Sequence, residues 1–197
     1  MTSVLVGLLI TTGAAMINDL DHHKATMTRS LGPLSWVSSR LIIFVFGPHR
    51  HGTHSILFVV VLGIGAQMAL IYRHSPAGLI ALCWLMVLSV AAVVRLAKIP
   101  GWIDDIAAAV IVILVVWLTD IDLRIVPAAL MLGAFVHIAG DCLTDRGCPI
   151  FWPLSKRRYT LDLFTTGKTG EKIFFVAVVI GILVTLAYQI IQFARGF

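Results

Sequence analysis

The chain has 197 residues, is 59% hydrophobic, and only 13% of its residues are charged; its mean hydropathy is +0.97. A soluble domain averages about 25% charged residues, so this composition excludes an ordinary soluble enzyme and marks an integral membrane protein. No composition break marks a second domain, so residues 1–197 read as one all-α membrane domain, and with a net charge of only +5 no nucleic-acid partner is expected.

Six stretches lack Asp, Glu, Lys and Arg altogether: 1–17, 56–72, 77–94, 106–119, 125–139 and 173–194. A span needs about 20 apolar residues, with roughly 17 as a lower limit. By that measure 173–194 is long enough, 56–72 and 77–94 meet the requirement, and 1–17 is marginal. The stretches 106–119 and 125–139 are short, and are expected to be tilted, re-entrant or extended by neighbouring residues. Residues 1–17 have no basic n-region and lead into a polar motif, so they read as a retained helix and not as a signal peptide. The expectation is a polytopic helical bundle of about six apolar segments with a polar site at one membrane surface.

With six spans the loops alternate between two sides. Loops 18–55, 95–105 and 140–172 together hold twelve Lys and Arg residues, whereas Arg73, Arg124 and Arg195 are the three on the other side. Positive residues favour the cytoplasmic face, which puts loops 18–55 and 140–172 there. Four apolar segments separate them, an even number. They therefore meet on one side whether the two short segments cross as a pair or dip in and return.

These loops carry three motifs. NDLDHH, residues 18–23, sets two carboxylates and two imidazoles close together, a natural ligand set for a divalent metal. If it is helical, Asp19 and His22 share a face and Asp21 points elsewhere; if it is extended, Asp19 and Asp21 project together. GPHRHGTHSIL, residues 47–57, follows. Its glycines and proline argue against a helix over 47–52, and Thr53 is the expected N-cap of a helix starting at His54. His54 and His49 are candidate ligands, while His51 reads as a neighbour without a role. Arg50 offers a forked cation suited to a phosphate or a carboxylate. In HIAGD, residues 137–141, His137 and Asp141 stand at i and i+4, side by side on a helix and placed to bind one metal. The aromatic and basic stretch that follows includes Lys156, Arg157 and Arg158 and reads as an interfacial belt over anionic lipid. TGKTG, residues 166–170, is not a phosphate-binding P-loop, because the glycine that motif requires is replaced by Asp162. The three cysteines, Cys83, Cys142 and Cys148, are too few and too irregular for a disulfide framework and carry no activating signature.

Taken in order, D-x-D-H from Asp19 to His22, H-R-x-G-T-H-S from His49 to Ser55, and H-x-x-x-D with the L-T-x-x-G and W-P that follow, from His137 to Pro153, resemble the YdjM-like family of bacterial membrane-bound, predicted metal-dependent hydrolases. The first apolar stretch has no histidine, a departure that leaves the number of ions open. The resemblance implies a multi-pass protein of the bacterial inner membrane with a His/Asp metal centre, and a phosphate ester as substrate. The metal is expected to be zinc, held by Asp21 or Asp19 with His22, His54, His137 and Asp141, and with His49 as a further candidate. A carboxylate of the Asp19/Asp21 pair would act as general base. Arg50, Lys156, Arg157 and Arg158 would meet the phosphate of a membrane lipid or lipid-linked substrate. The alternative is a non-catalytic metal-binding scaffold or a transporter. Transport is disfavoured because the apolar cores carry no charge.

Overall fold

The computed structural model describes residues 2–22, 33–47, 50–96, 101–118 and 121–194. Seven α-helices follow one another among them: α1 (Thr2–Ala14), α2 (Pro33–Phe46), α3 (Ile56–Ile71), α4 (Pro76–Leu96), α5 (Gly101–Leu118), α6 (Ile125–Leu143) and α7 (Thr169–Ala194). Short 3-10 turns at Ile17–Asp21 and Gly52–His54 precede α2 and α3. The described residues form no strand, only two isolated bridges, Thr144 with Phe164 and Cys148 with Tyr159.

Among the described residues, three helical segments are long and apolar enough to cross a bilayer: Val4–Asp21, Pro76–Val94 and Ile125–Leu143. The last one resolves the short stretch 125–139. The helix continues through HIAGD to Leu143, so the motif is the final turn of a span. In the same way α5 begins at Gly101, several residues before the apolar run.

Helix α1 lies between α4 and α6, α3 packs on α4 and α6, and α5 lies along α4. The apolar stripe of α1 explains its place: Val6, Ile10 and Ala14 recur every four residues and are buried, whereas Val4, Leu5 and Leu8 face outward. Without a hydrophobic drive between helices in lipid, close packing depends on small residues. Gly133 of α6 shows this directly: a Cβ there would lie 2.3 Å from the Thr11 carbonyl of α1 and 2.7 Å from Ala14. This close contact sets α1 against the half of α6 that ends in His137 and Asp141. Helix α7 carries outward-facing apolar side chains, among them Ile173, Val176, Ile180, Val184 and Tyr188, as a lipid-facing helix does.

One element was not expected from the sequence. PLSWVSSRLIIFVF, within loop 18–55, forms the 14-residue helix α2. At 1.5 Å per residue it is about 21 Å long, short of the roughly 30 Å hydrocarbon core. Its end returns the chain to the same site, with Phe46 packed edge-on against Phe58 at 5.1 Å.

Candidate metal centre

The first 3-10 turn, INDLD, has three residues per turn, so positions i and i+3 share a face. Ile17 and Leu20 form a buried apolar face; Asn18 and Asp21 form a second, buried polar one. Asp19 is left on the third, with its side chain 36% exposed. Asn18 fixes the turn in place: its Nδ2 donates to the Thr53 carbonyl at 2.9 Å and to the Ala134 carbonyl of α6 at 3.3 Å. One buried amide thus joins the three elements that carry the site.

The helix after GTH starts two residues later than expected, at Ile56. Ser55, not Thr53, is the N-cap of α3, accepting from Phe58 N. Thr53 and His54 belong to the second 3-10 turn, because the backbone becomes extended only at Ser55. This frees Thr53 for another role. Its hydroxyl donates to Asp21 Oδ2 in a short hydrogen bond and lies 2.9 Å from His54 Nδ1. A threonine hydroxyl has one proton. With that proton given to Asp21, the contact with the ring requires Nδ1–H to donate to Thr53 Oγ1. Neutral His54 is therefore the Nδ1–H tautomer, with its lone pair on Nε2, the arrangement common among metal-ligating histidines.

That Nε2 sits where the other groups meet. It is 3.7 Å from Asp19 Oδ1, 3.4 Å from Asp141 Oδ2 and 3.2 Å from His137 Nε2. His137 Nε2 is itself 3.7 Å from Asp19 Oδ1 and 3.9 Å from Asp141 Oδ2. Ligands held at roughly 2.0–2.1 Å around tetrahedral zinc lie about 3.3 Å apart, so the spacing and the donor types fit a divalent ion. Asp19, His54 and His137 form a group of candidate metal ligands whose three atoms all lie within 4.8 Å of one another.

Arg50 closes one side. Its backbone is left-handed, with φ +60°, and its N–H donates to Asp21 Oδ2 at 3.1 Å. Its Nη2 donates to Asp141 Oδ1 at 3.2 Å, and its Nη1 is buried with no hydrogen-bond partner among the described residues. A cavity of about 320 Å³ lies next to this group, between α6 and α7. His137, Gly140 and Asp141 line it on one side and Phe164, Glu171 and Phe174 on the other.

The other candidates fall at various distances from this centre. Asp21 supports Thr53 and Arg50, and its Oδ2 is 3.7 Å from His54 Nδ1, on the ring edge away from the cluster. His22 follows the first turn and is half-buried; His49 lies outside the described residues. Lys156, Arg157 and Arg158 are exposed on the chain that returns after α6, with Arg157 stacked 5.7 Å over the Tyr159 ring. In the same returning segment, the backbone N–H of Thr166 holds the Asp145 carboxyl below the usual carboxylate range, and the Thr166 hydroxyl adds to this. Burial, then the hydrogen bond with Cys142, pushes the Cys148 thiol well above its ordinary range.

The YdjM inner membrane protein family matches residues 2–196, nearly the whole length. The chain belongs to that family. No curated protein and no solved structure matches it. Family membership and the apolar helices together establish a membrane protein, and the His/Asp cluster is the family member's candidate metal centre.

Proposed function

We propose that this protein is a metal-dependent hydrolase that acts on a phosphate ester of a membrane lipid or lipid-linked substrate. One observation carries the reading: Asp19, His54 and His137 bring three ligand atoms together from three separate elements. Two imidazole nitrogens at 3.2 Å are satisfied by a shared proton or a shared cation, and with the Asp19 and Asp141 carboxylates beside them they make a donor set of the kind that holds a divalent ion. Zinc suits this donor set best.

Asp19, His54 and His137 would hold the ion, and Asp21 acting through Thr53 would keep the His54 ring in the ligating tautomer. The chemistry such an ion supplies when bound is Lewis acidity, which brings the ionisation of water to about pH 7. Asp141 is tied to Arg50 through Oδ1, and its Oδ2 faces the same centre, placed to accept the proton that an attacking water gives up. The Nη1 of Arg50, buried with no hydrogen-bond partner among the described residues, is a cationic donor that a phosphate oxygen would satisfy. The cavity between α6 and α7 pairs His137 and Asp141 with the apolar walls of Phe164 and Phe174. It suits an amphiphile whose head reaches the centre from the bilayer. We place loops 18–55 and 140–172 on the cytoplasmic side from their positive charge.

Elemental analysis of the detergent-purified protein tests the centre. One equivalent or more of zinc or another divalent metal is expected in the wild type and much less in His54→Ala and His137→Ala. A metal-free wild type after zinc supplementation would overturn the reading. A panel of lipid phosphate esters, assayed with and without chelator, tests the chemistry; turnover that persists in chelator would rule out the metal mechanism.

A further inference from the structure

Cys142 Sγ and Cys148 Sγ lie 2.8 Å apart. That is less than an ångström longer than the roughly 2.05 Å of an S–S bond. The spacing of six residues gives no hint of this contact, and the chain reversal creates it. Helix α6 ends at Leu143, and Gly147 then turns the chain with φ +55°, where a Cβ would meet the Tyr159 carbonyl at 2.5 Å. Cys148 exchanges two backbone hydrogen bonds with Tyr159, at 3.2 and 2.9 Å, and Leu161 N donates to the Cys142 carbonyl at 2.7 Å. The same returning segment therefore holds the backbone on both sides of the sulfur pair. Cys142 is half-buried and Cys148 is buried, so a reagent reaches Cys142 first.

We propose that Cys142 and Cys148 are a reversible dithiol–disulfide pair, oxidised by a small disulfide of the glutathione type. Cys142 attacks one sulfur of the oxidant, breaking its S–S bond and releasing one thiol. Cys148 then attacks Cys142 Sγ in the mixed disulfide and releases the second thiol. The two protein thiols lose two electrons and two protons, which leave on the two small thiols. The new bond ties the end of α6, which carries His137 and Asp141, to the segment whose Ile150 carbonyl accepts from Ile56 N at 3.0 Å. Ile56 begins α3, two residues after His54. Oxidation thus fastens two walls of the candidate metal centre to each other, a modification that does not depend on whether a metal binds.

The test uses the full chain in detergent, incubated with oxidised glutathione in one arm and reduced glutathione in the other. Each sample is then alkylated under denaturing conditions, digested and analysed by mass spectrometry. The oxidised arm should lose alkylation at Cys142 and Cys148 together and yield one 142–148 linked peptide, which dithiothreitol abolishes, while Cys83 is alkylated equally in both arms. Cys148→Ser should stop at a glutathione adduct on Cys142. The oxidised wild type should also melt several degrees higher than the reduced protein. Full alkylation of both cysteines in the oxidised arm, or a wild-type adduct on Cys142 that persists unresolved, would overturn the proposal without recourse to any variant.

Discussion

His54 Nε2 and His137 Nε2 approach to 3.2 Å, although 83 residues separate them in the chain. Their meeting depends on buried groups that bind no ligand, above all Asn18, which joins the first 3-10 turn to Thr53 and to α6.

Thr53→Val removes the hydroxyl between Asp21 and His54 Nδ1 while keeping the shape of the side chain. Loss of such a supporting contact typically weakens metal affinity about 10–100-fold. Zinc competition with a fluorescent chelator should show that loss, and Thr53→Ser should recover most of it. Unchanged affinity in Thr53→Val would mean that the His54 tautomer is set in some other way.

Arg50→Asn keeps a residue that tolerates the left-handed backbone at φ +60° but removes the guanidinium. Metal content should stay near that of the wild type, and turnover on a lipid phosphate ester should fall about 10²–10³-fold, as when one charge-stabilising donor is lost. Loss of metal and activity together would instead assign Arg50 to assembly of the centre through Asp141.

Asp141→Asn distinguishes a proton acceptor from a ligand. As a proton acceptor, Asp141 can be lost with the ion retained, while the rate drops by about 10²–10⁴-fold, the usual contribution of a positioned base. Metal measured alongside turnover settles which of the two roles Asp141 plays.

Gly133→Ala places a methyl group against the Thr11 carbonyl at 2.3 Å, so α1 and α6 must move apart. Such overpacking costs about 1–3 kcal/mol, which thermal melting in detergent should show as a clear drop. Gly65→Ala is the matched control: a Cβ there meets nothing within 4 Å, and the variant should melt at or slightly above the wild-type temperature.

Asp145 provides a pH test outside the membrane. Its carboxylate accepts from Thr166 N at 3.1 Å and from the Thr166 hydroxyl at 3.0 Å, which lowers its pKa on folding. A lowered folded pKa means that the stabilisation is complete above the unfolded value, about 3.9, and is lost as pH falls through the lower folded value. Hydrogen exchange at Thr166 should therefore stay slow at neutral pH and accelerate in the acid range beyond the intrinsic trend. Asp145→Asn should remove that pH dependence.

The sequence showed the candidate centre more clearly than its frame. His137 and Asp141 could be paired from their i, i+4 spacing alone, because a long helix has a fixed period. NDLDHH was ambiguous for a physical reason: its 3-10 turn follows neither the helical nor the extended pattern, and its period of three puts Asp19 and Asp21 on different faces. Thr53 was expected to cap α3, yet Ser55 takes that position. Helix α2 carries no span-like signal, because Arg40, with Ser35, Ser38 and Ser39, breaks the charge-free, apolar run that marks a span. The cysteine contact depends on a left-handed glycine and a backbone reversal, which no linear spacing encodes.

The three donors arrive at very different times as the chain is made. Asp19 and His54 emerge early, but His137 stands near the end of α6, after α3, α4 and α5 have been synthesised. An ion held by all three would therefore be captured only once α6 has docked against α1. Occupancy would then report that α6 has docked, and metal shortage would leave that docked state less stable as well as inactive.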